Sequence, residues 1–178
     1  YIHHLPPAHF LIASQDTFKI QQYWQPDTIT EHHFANSNDC YDAFREIFPE
    51  AVECRLHGVD KPAAMLTGGL DSSSIVALAQ MSDRTNQIST FSGICAENAD
   101  CNESWHINHM INETLVSPHF VSVDKLLPFI EKIESLFEHT DSIFDLVMLL
   151  PQLMYISAQQ QGCVVLLDGL DGDYVTGQ

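Results

Sequence analysis

Hydrophobic positions along the chain change period repeatedly, and each change marks an element. From Asn38 to His57 the residues Tyr41, Phe44, Phe48, Val52 and Leu56 recur three or four apart, one face of a helix that Pro49 is expected to kink or divide. Ala63 to Leu66 is a short apolar strand, followed by a helix carrying Ile75, Val76, Leu78, Ala79 and Met81. After a polar turn at 82–87 comes a second strand, Ile88 to Ser92, then a helix with Trp105, Ile107, Met110, Ile111 and Leu115. His119 to Val123 is a third strand, and Asp124 is placed to cap a helix presenting Leu126, Ile130, Ile133 and Phe137 on one face. A last helix is expected over 146–158, with Pro151 in its first turn or at a kink, closed by Gly162. Cys163 to Leu167 then forms a continuous apolar run of the kind a central parallel strand shows.

Strands alternating with helices imply an α/β domain: an open parallel sheet of about four or five strands with helices on both faces. Right-handed crossovers put the C-terminal ends of all the strands along one edge. With the order third, second, first, fourth, the first and fourth strands flank the switch point where ligands enter open α/β sheets. Residues 1–35 read differently. Leu5-Pro6-Pro7, two short apolar pieces at Phe10–Ile12 and Phe18–Ile20, and Tyr23-Trp24 suggest short strands or an extended linker.

Two turns on that edge carry the chemistry. Thr67-Gly-Gly-Leu-Asp-Ser-Ser joins the first strand to its helix. Gly68 and Gly69 allow close backbone approach, and the helix N-terminus presents unpaired amides and a positive dipole end to a phosphate. Ser72, Ser73 and Ser74 add hydroxyl donors or a cap. No Gly-Lys-Ser/Thr follows, so this is not a Walker A loop. Asp71 stands in place of a lysine, and a carboxylate beside phosphates calls for a divalent cation between them. The plain alternative is a tight βα turn. The second turn, Asp168-Gly-Leu-Asp-Gly-Asp173, follows the last strand directly and sets three acids among two glycines. It has neither the length nor the terminal glutamate of an EF-hand loop.

Charge sharpens this picture. Against 24 acidic residues the chain has 7 Lys and Arg, a formal net charge of −17 over 178 residues. Such a surface repels nucleic acid and anionic membranes, and it repels a nucleotide unless metal and helix dipoles compensate locally. The 5 cysteines are scattered and form no Cys-x-x-Cys pair, so neither a disulfide framework nor a zinc site is indicated. The histidines at 3, 4, 32, 33, 106 and 109 read as surface residues. No leader and no apolar run of membrane-spanning length is evident, so a cytoplasmic location is expected.

The Thr67 to Ser73 loop resembles the Ser-Gly-Gly-x-Asp-Ser pyrophosphate loop of the ATP pyrophosphatases, and Leu70 with Ser73 points to the synthetase domain of glutamine-dependent asparagine synthetases. Ala51, Val52, Arg55 and Leu56 resemble the helix before that loop. Pro6-Pro7-Ala8-His9 and Tyr23-Trp24 resemble the segment closing the family's glutaminase domain, whose N-terminal cysteine has no counterpart at Tyr1. The resemblance implies an adenine-nucleotide α-hydrolase-like, Rossmann-like fold. It divides the chain into 1–35, the tail of an amidotransferase domain plus linker, and 36–178, a synthetase domain without its C-terminal region. That region supplies a lysine and much of the acceptor pocket in the family, so the isolated fragment is expected to be inactive.

The same resemblance implies the site. ATP would lie on Leu66, Thr67, Gly68, Gly69, Asp71, Ser72 and Ser73, with Asp168 and Gly169 bordering the adenosine and Asp71 and Asp173 holding magnesium as the catalytic acids. Asn102-Glu103 matches an acidic pair near the substrates, and Asp141 an Asp-x-Pro acid, with Ile143 in place of the proline. The second turn resembles the family's Ser-Gly-Glu-Gly-x-Asp-Glu signature except that Leu170 replaces the glutamate. The implied activity is an AMP-forming, ATP-dependent amide ligase acting on a carboxylate, aspartate or a related acid, with ammonia or another amine, and coupled to a glutaminase domain. Leu170 opens a first alternative, a natural-product amide, macrolactam or β-lactam ligase with another acceptor. A non-catalytic nucleotide-binding or regulatory module is the second.

Overall fold

The computed structural model describes residues 3–82, 87–94, 102–122, 127–139 and 148–172. Asp124, Asp141, Asp173 and residues 97–101 of the acidic stretch lie outside them, as does Cys95. The chain divides into two compact units, residues 1–43 and 44–178.

The first unit is built on an antiparallel hairpin of β1 (His9–Ala13) and β2 (Phe18–Gln22), in register from His9 opposite Gln22 to Ala13 opposite Phe18. Its turn is closed by the Ser14 amide on the Thr17 carbonyl at 2.8 Å and by the two hydroxyls at 2.7 Å. The Tyr23 ring stacks on Phe10 at the open end.

The second unit is organised by a parallel sheet. Helix α1 (Ser37–Leu56) leads into it, followed by β3 (Pro62–Met65), α2 (Leu70–Ser82), β4 (Ile88–Ile94), α3 (Asn102–Glu113), β5 (Val116–Ser122), α4 (Ile130–His139), α5 (Leu149–Gln160) and β6 (Val165–Leu167). The strand order is β5-β4-β3-β6, with every pairing parallel, as the crossover rule predicts.

The period of two in β3 distributes its side chains between two cores. Ala64 and the following Leu66 face Val52 of α1, Val76 and Ala79 of α2 and Ile107 of α3. Ala63 and Met65 face the other side, with Phe91, Val121 and, from α5, Leu153, Met154 and Ala158. Helices therefore cover both faces. On the second face α5 approaches so closely that a Cβ on Gly93 would lie 2.6 Å from Leu150 Cγ.

Several boundaries differ from the pattern. Pro49 sits inside a single uninterrupted α1, whose C-terminal half is anchored by Val52 in the core with Phe48 and Leu56 packed against it. Strand β5 starts at Val116 and runs through Pro118: it lies at one edge of the described sheet, the position where a strand tolerates proline. The apolar run at 163–167 suggests a central strand, yet β6 is the other edge of the described sheet, and Val164 is 82% exposed. Pro151 falls in the first turn of α5, where an amide has no intrahelical acceptor to lose.

Candidate functional site

Both acidic glycine turns emerge from neighbouring strands, β3 and β6, at the same edge of the sheet. The first is shaped from within. Gly68 adopts φ +85°, a conformation L side chains rarely take, and a Cβ there would lie 2.8 Å from the Glu103 carbonyl oxygen and 3.2 Å from His106 Cβ. The loop thus rests directly on the N-terminal turn of α3.

Ser72 is the internal brace. Its side chain is buried, and its Oγ accepts the Thr67 amide at 3.1 Å, lies 3.0 Å from the Thr67 hydroxyl and is 3.2 Å from the Gly69 carbonyl. The Ser73 amide donates to the same carbonyl at 3.1 Å. Thr67 and Gly69 stay exposed, whereas Ser73 and Asp71 are half-buried. Asp71 stands in the first turn of α2, the positive end of the helix dipole.

The second turn is held from outside. The Tyr155 hydroxyl, on α5, donates to Asp168 Oδ2 at 2.7 Å, and Asp168 Oδ1 accepts the Leu170 amide at 3.2 Å. The Gly172 amide closes the turn on the Gly169 carbonyl at 3.2 Å. Asp171 takes φ +63° at a position where the resembled signature has a glycine, and aspartate is among the few residues that tolerate this region. Burial first, then the hydrogen bond to Asp168 and its charge, pushes the Tyr155 phenol up to about 12.

The two turns touch through glycines. A Cβ on Gly169 would lie 3.0 Å from Asp71 Cβ and 3.2 Å from the Ser72 amide nitrogen, and one on Gly172 would lie 2.8 Å from Asp71 Cγ. Only a backbone without side chains fits against Asp71 here. Beside this contact opens a cleft of about 250 Å³ lined by Phe44, Phe48, Leu70, Ile75 and Leu170 as well as Asp71 and Asp168.

Residues 43–178 match the family described as Asparagine synthase. The chain belongs to the asparagine synthase family. Over 78 residues it is 36% identical to asparagine synthetase [glutamine-hydrolyzing] 3 of Bacillus subtilis (strain 168), a match spanning 44% of this chain and 12% of that protein. Among solved structures, the glutamine-dependent NAD+ synthetase of Acinetobacter baumannii in complex with ADP aligns with TM-score 0.53 at 16% identity, covering 92% of this chain and 32% of that one. The NH3-dependent NAD synthetase of Campylobacter jejuni aligns with TM-score 0.51 at 9% identity, covering 77% and 60%. These likenesses establish the shared Rossmann-like fold.

The structure brings together Leu66, Thr67, Gly68, Gly69, Asp71, Ser72, Ser73, Asp168 and Gly169 at the two turns; Asp173 lies outside the described residues. Among the described residues no group of three or more His, Cys, Asp or Glu is placed to hold a metal, and no helix is long and apolar enough to cross a membrane. His106 and His109 instead contact the Trp105 ring, edge-on and stacked respectively. Tyr155 was invisible to sequence reasoning. It belongs to a helix on the far face of the sheet, and only the crossover from α5 to β6 brings it to the second turn.

Proposed function

We propose that this chain is the nucleotide-binding core of an ATP-dependent amide ligase that forms an acyl-adenylate. The reading is supported by membership of the asparagine synthase family and, above all, by the packing of Gly169 and Gly172 against Asp71, which joins two loops of opposite sequence origin into one edge. In this reading the pyrophosphate lies on the backbone of Thr67, Gly68 and Gly69, with Ser73 beside it and Asp168 and Gly169 bordering the nucleoside; Leu66, expected from the sequence to join them, is wholly buried in the core and supports the loop from beneath. Ser72, whose hydroxyl is committed inside the loop, holds the shape of that cradle.

The donor set suits magnesium. A hard ion bound mainly by phosphates needs only one or two protein carboxylates, and Asp71, with Asp173 as the second, fits that demand. Bound there, the ion would neutralise charge developing on the pyrophosphate. The residues do the positioning: the α2 dipole and loop amides bind the phosphates, and the glycines of the second turn keep Asp71 facing them. A substrate carboxylate attacks the α-phosphorus, pyrophosphate leaves, and an amine then displaces AMP from the acyl-adenylate to give the amide. Ammonia from a glutaminase domain is the expected amine, residues 1–35 being the tail of that domain and 36–178 the synthetase part.

One observation favours an acceptor other than aspartate. Leu170 lines the cleft with Phe44, Phe48, Leu70 and Ile75, and the charged residues beside them, Asp71 and Asp168, are both acids, so the cleft lining offers no cation to either carboxylate of aspartate. ATP–pyrophosphate exchange by the full-length protein with a panel of carboxylates tests both readings. Exchange with aspartate supports an asparagine-forming enzyme, exchange only with apolar-bodied acids supports the related amide ligase, and ATP binding without exchange under any acid contradicts the ligase reading.

A further inference from the structure

We infer that Tyr155 is a positioning residue for the nucleotide site, acting from the opposite face of the sheet through Asp168 and the second turn onto Asp71. The inference rests on the reading of Asp71 as a nucleotide-site acid, and it assigns to Asp168 the task of holding the turn. Three successive contacts carry it. The phenol donates to one oxygen of Asp168 at 2.7 Å, and the other oxygen accepts the Leu170 amide at 3.2 Å. Leu170 lies inside the turn that the Gly172 amide closes on Gly169, and those two glycines form the wall against Asp71.

Each link constrains the next. A carboxylate with one oxygen committed to a fixed phenol cannot rotate freely, so its other oxygen stays aimed at the Leu170 amide. This bond holds the turn through Asp171, a non-glycine residue at φ +63°, which without support would relax toward common backbone conformations. If the turn relaxes, Gly169 and Gly172 leave Asp71, whose side chain is then free of the wall that aims it. Tyr155 itself is fixed by α5, whose neighbours Leu153, Met154 and Ile156 are buried.

A residue that served stability alone would lower the melting temperature and leave the Asp71 loop unchanged. Positioning makes a different prediction for Tyr155→Phe and Asp168→Asn in the full protein. Hydrogen–deuterium exchange should quicken at the Leu170 amide and across the 67–73 loop while α5 stays protected. Affinity for magnesium-ATP should fall by about 10-fold, in the range seen when outer-shell partners of a metal site are removed, with metal-free ATP binding less affected. The double variant should be no worse than the Asp168→Asn single, because both act through one contact.

Three outcomes decide. Faster exchange in both loops with weaker magnesium-ATP binding supports the inference. Faster exchange in both loops in a protein whose wild type does not bind magnesium-ATP upholds the coupling and overturns the nucleotide reading. Exchange unchanged at 67–73, with binding unchanged or both variants simply less stable, overturns the inference.

Discussion

The two turns of the site reach the same edge of the sheet by different means. The first is self-contained: Ser72 reaches back to Thr67 and Gly69 within the same loop, and Gly68 folds against α3 through its backbone. The second depends on a distant helix, since Asp168 is fixed by Tyr155 before it can hold Leu170. A loop stabilised by neighbours in sequence writes its signature into that sequence. A loop stabilised by a partner brought in by the fold does not.

Substitutions at the glycines should separate the two most strongly. Gly68→Ala places a Cβ on a φ of +85° and against the Glu103 carbonyl, so stability should drop by about 2 kcal/mol or more, read from chemical denaturation. Gly172→Ala meets the Asp71 side chain, which can shift; it should cost less stability but displace Asp71 and weaken nucleotide binding. Ser72→Ala removes the buried hydroxyl that accepts the part-buried Thr67 amide and should cost about 1 kcal/mol, whereas Ser73→Ala, which keeps its amide bond to Gly69, should change stability by about 0.5 kcal/mol at most.

The second turn has a pH signature that the first lacks. Because the Tyr155 phenol is raised from 10.0 to about 12 in the folded protein, folding favours its protonated form. That contribution is fully present below pH 10 and is lost as pH rises through about 12. Alkaline unfolding should therefore be less steep over pH 10–12 in Tyr155→Phe than in the wild type. The smallest effect is expected at Asp171→Gly. Relief of the φ +63° conformation is opposed by the greater freedom of glycine in the unfolded chain, so thermal stability should move by no more than about 1 kcal/mol.

What the sequence discloses divides along the same line. The strand, glycine pair and helix around Thr67 to Ser73 are legible because local pattern and conformational need coincide there. The parallel run of the strands follows from the alternation of strands and helices, and the order β5-β4-β3-β6 matches the arrangement third, second, first, fourth supposed for the sequence. The serine run, however, does not say which hydroxyl turns inward; the position of Ser72 on the buried side of α2 decides it. Pro118 disguised the start of β5 because edge position, a property of the whole sheet, is what makes proline acceptable. Asp168 reads from sequence as a ligand-facing acid beside Asp71 and Asp173. Its partner Tyr155 lies 13 residues upstream on another element, and no spacing rule links them.

The central claim is that the two turns form a single magnesium-dependent nucleotide site with Asp71 at its centre. Calorimetric titration of the full-length protein with ATP, with and without magnesium, for wild type and Asp71→Asn tests it most directly. The account predicts binding that requires magnesium in the wild type and weakens by more than about 100-fold in Asp71→Asn, a larger loss than outer-shell changes produce. Equal, magnesium-dependent affinity in both proteins would contradict it.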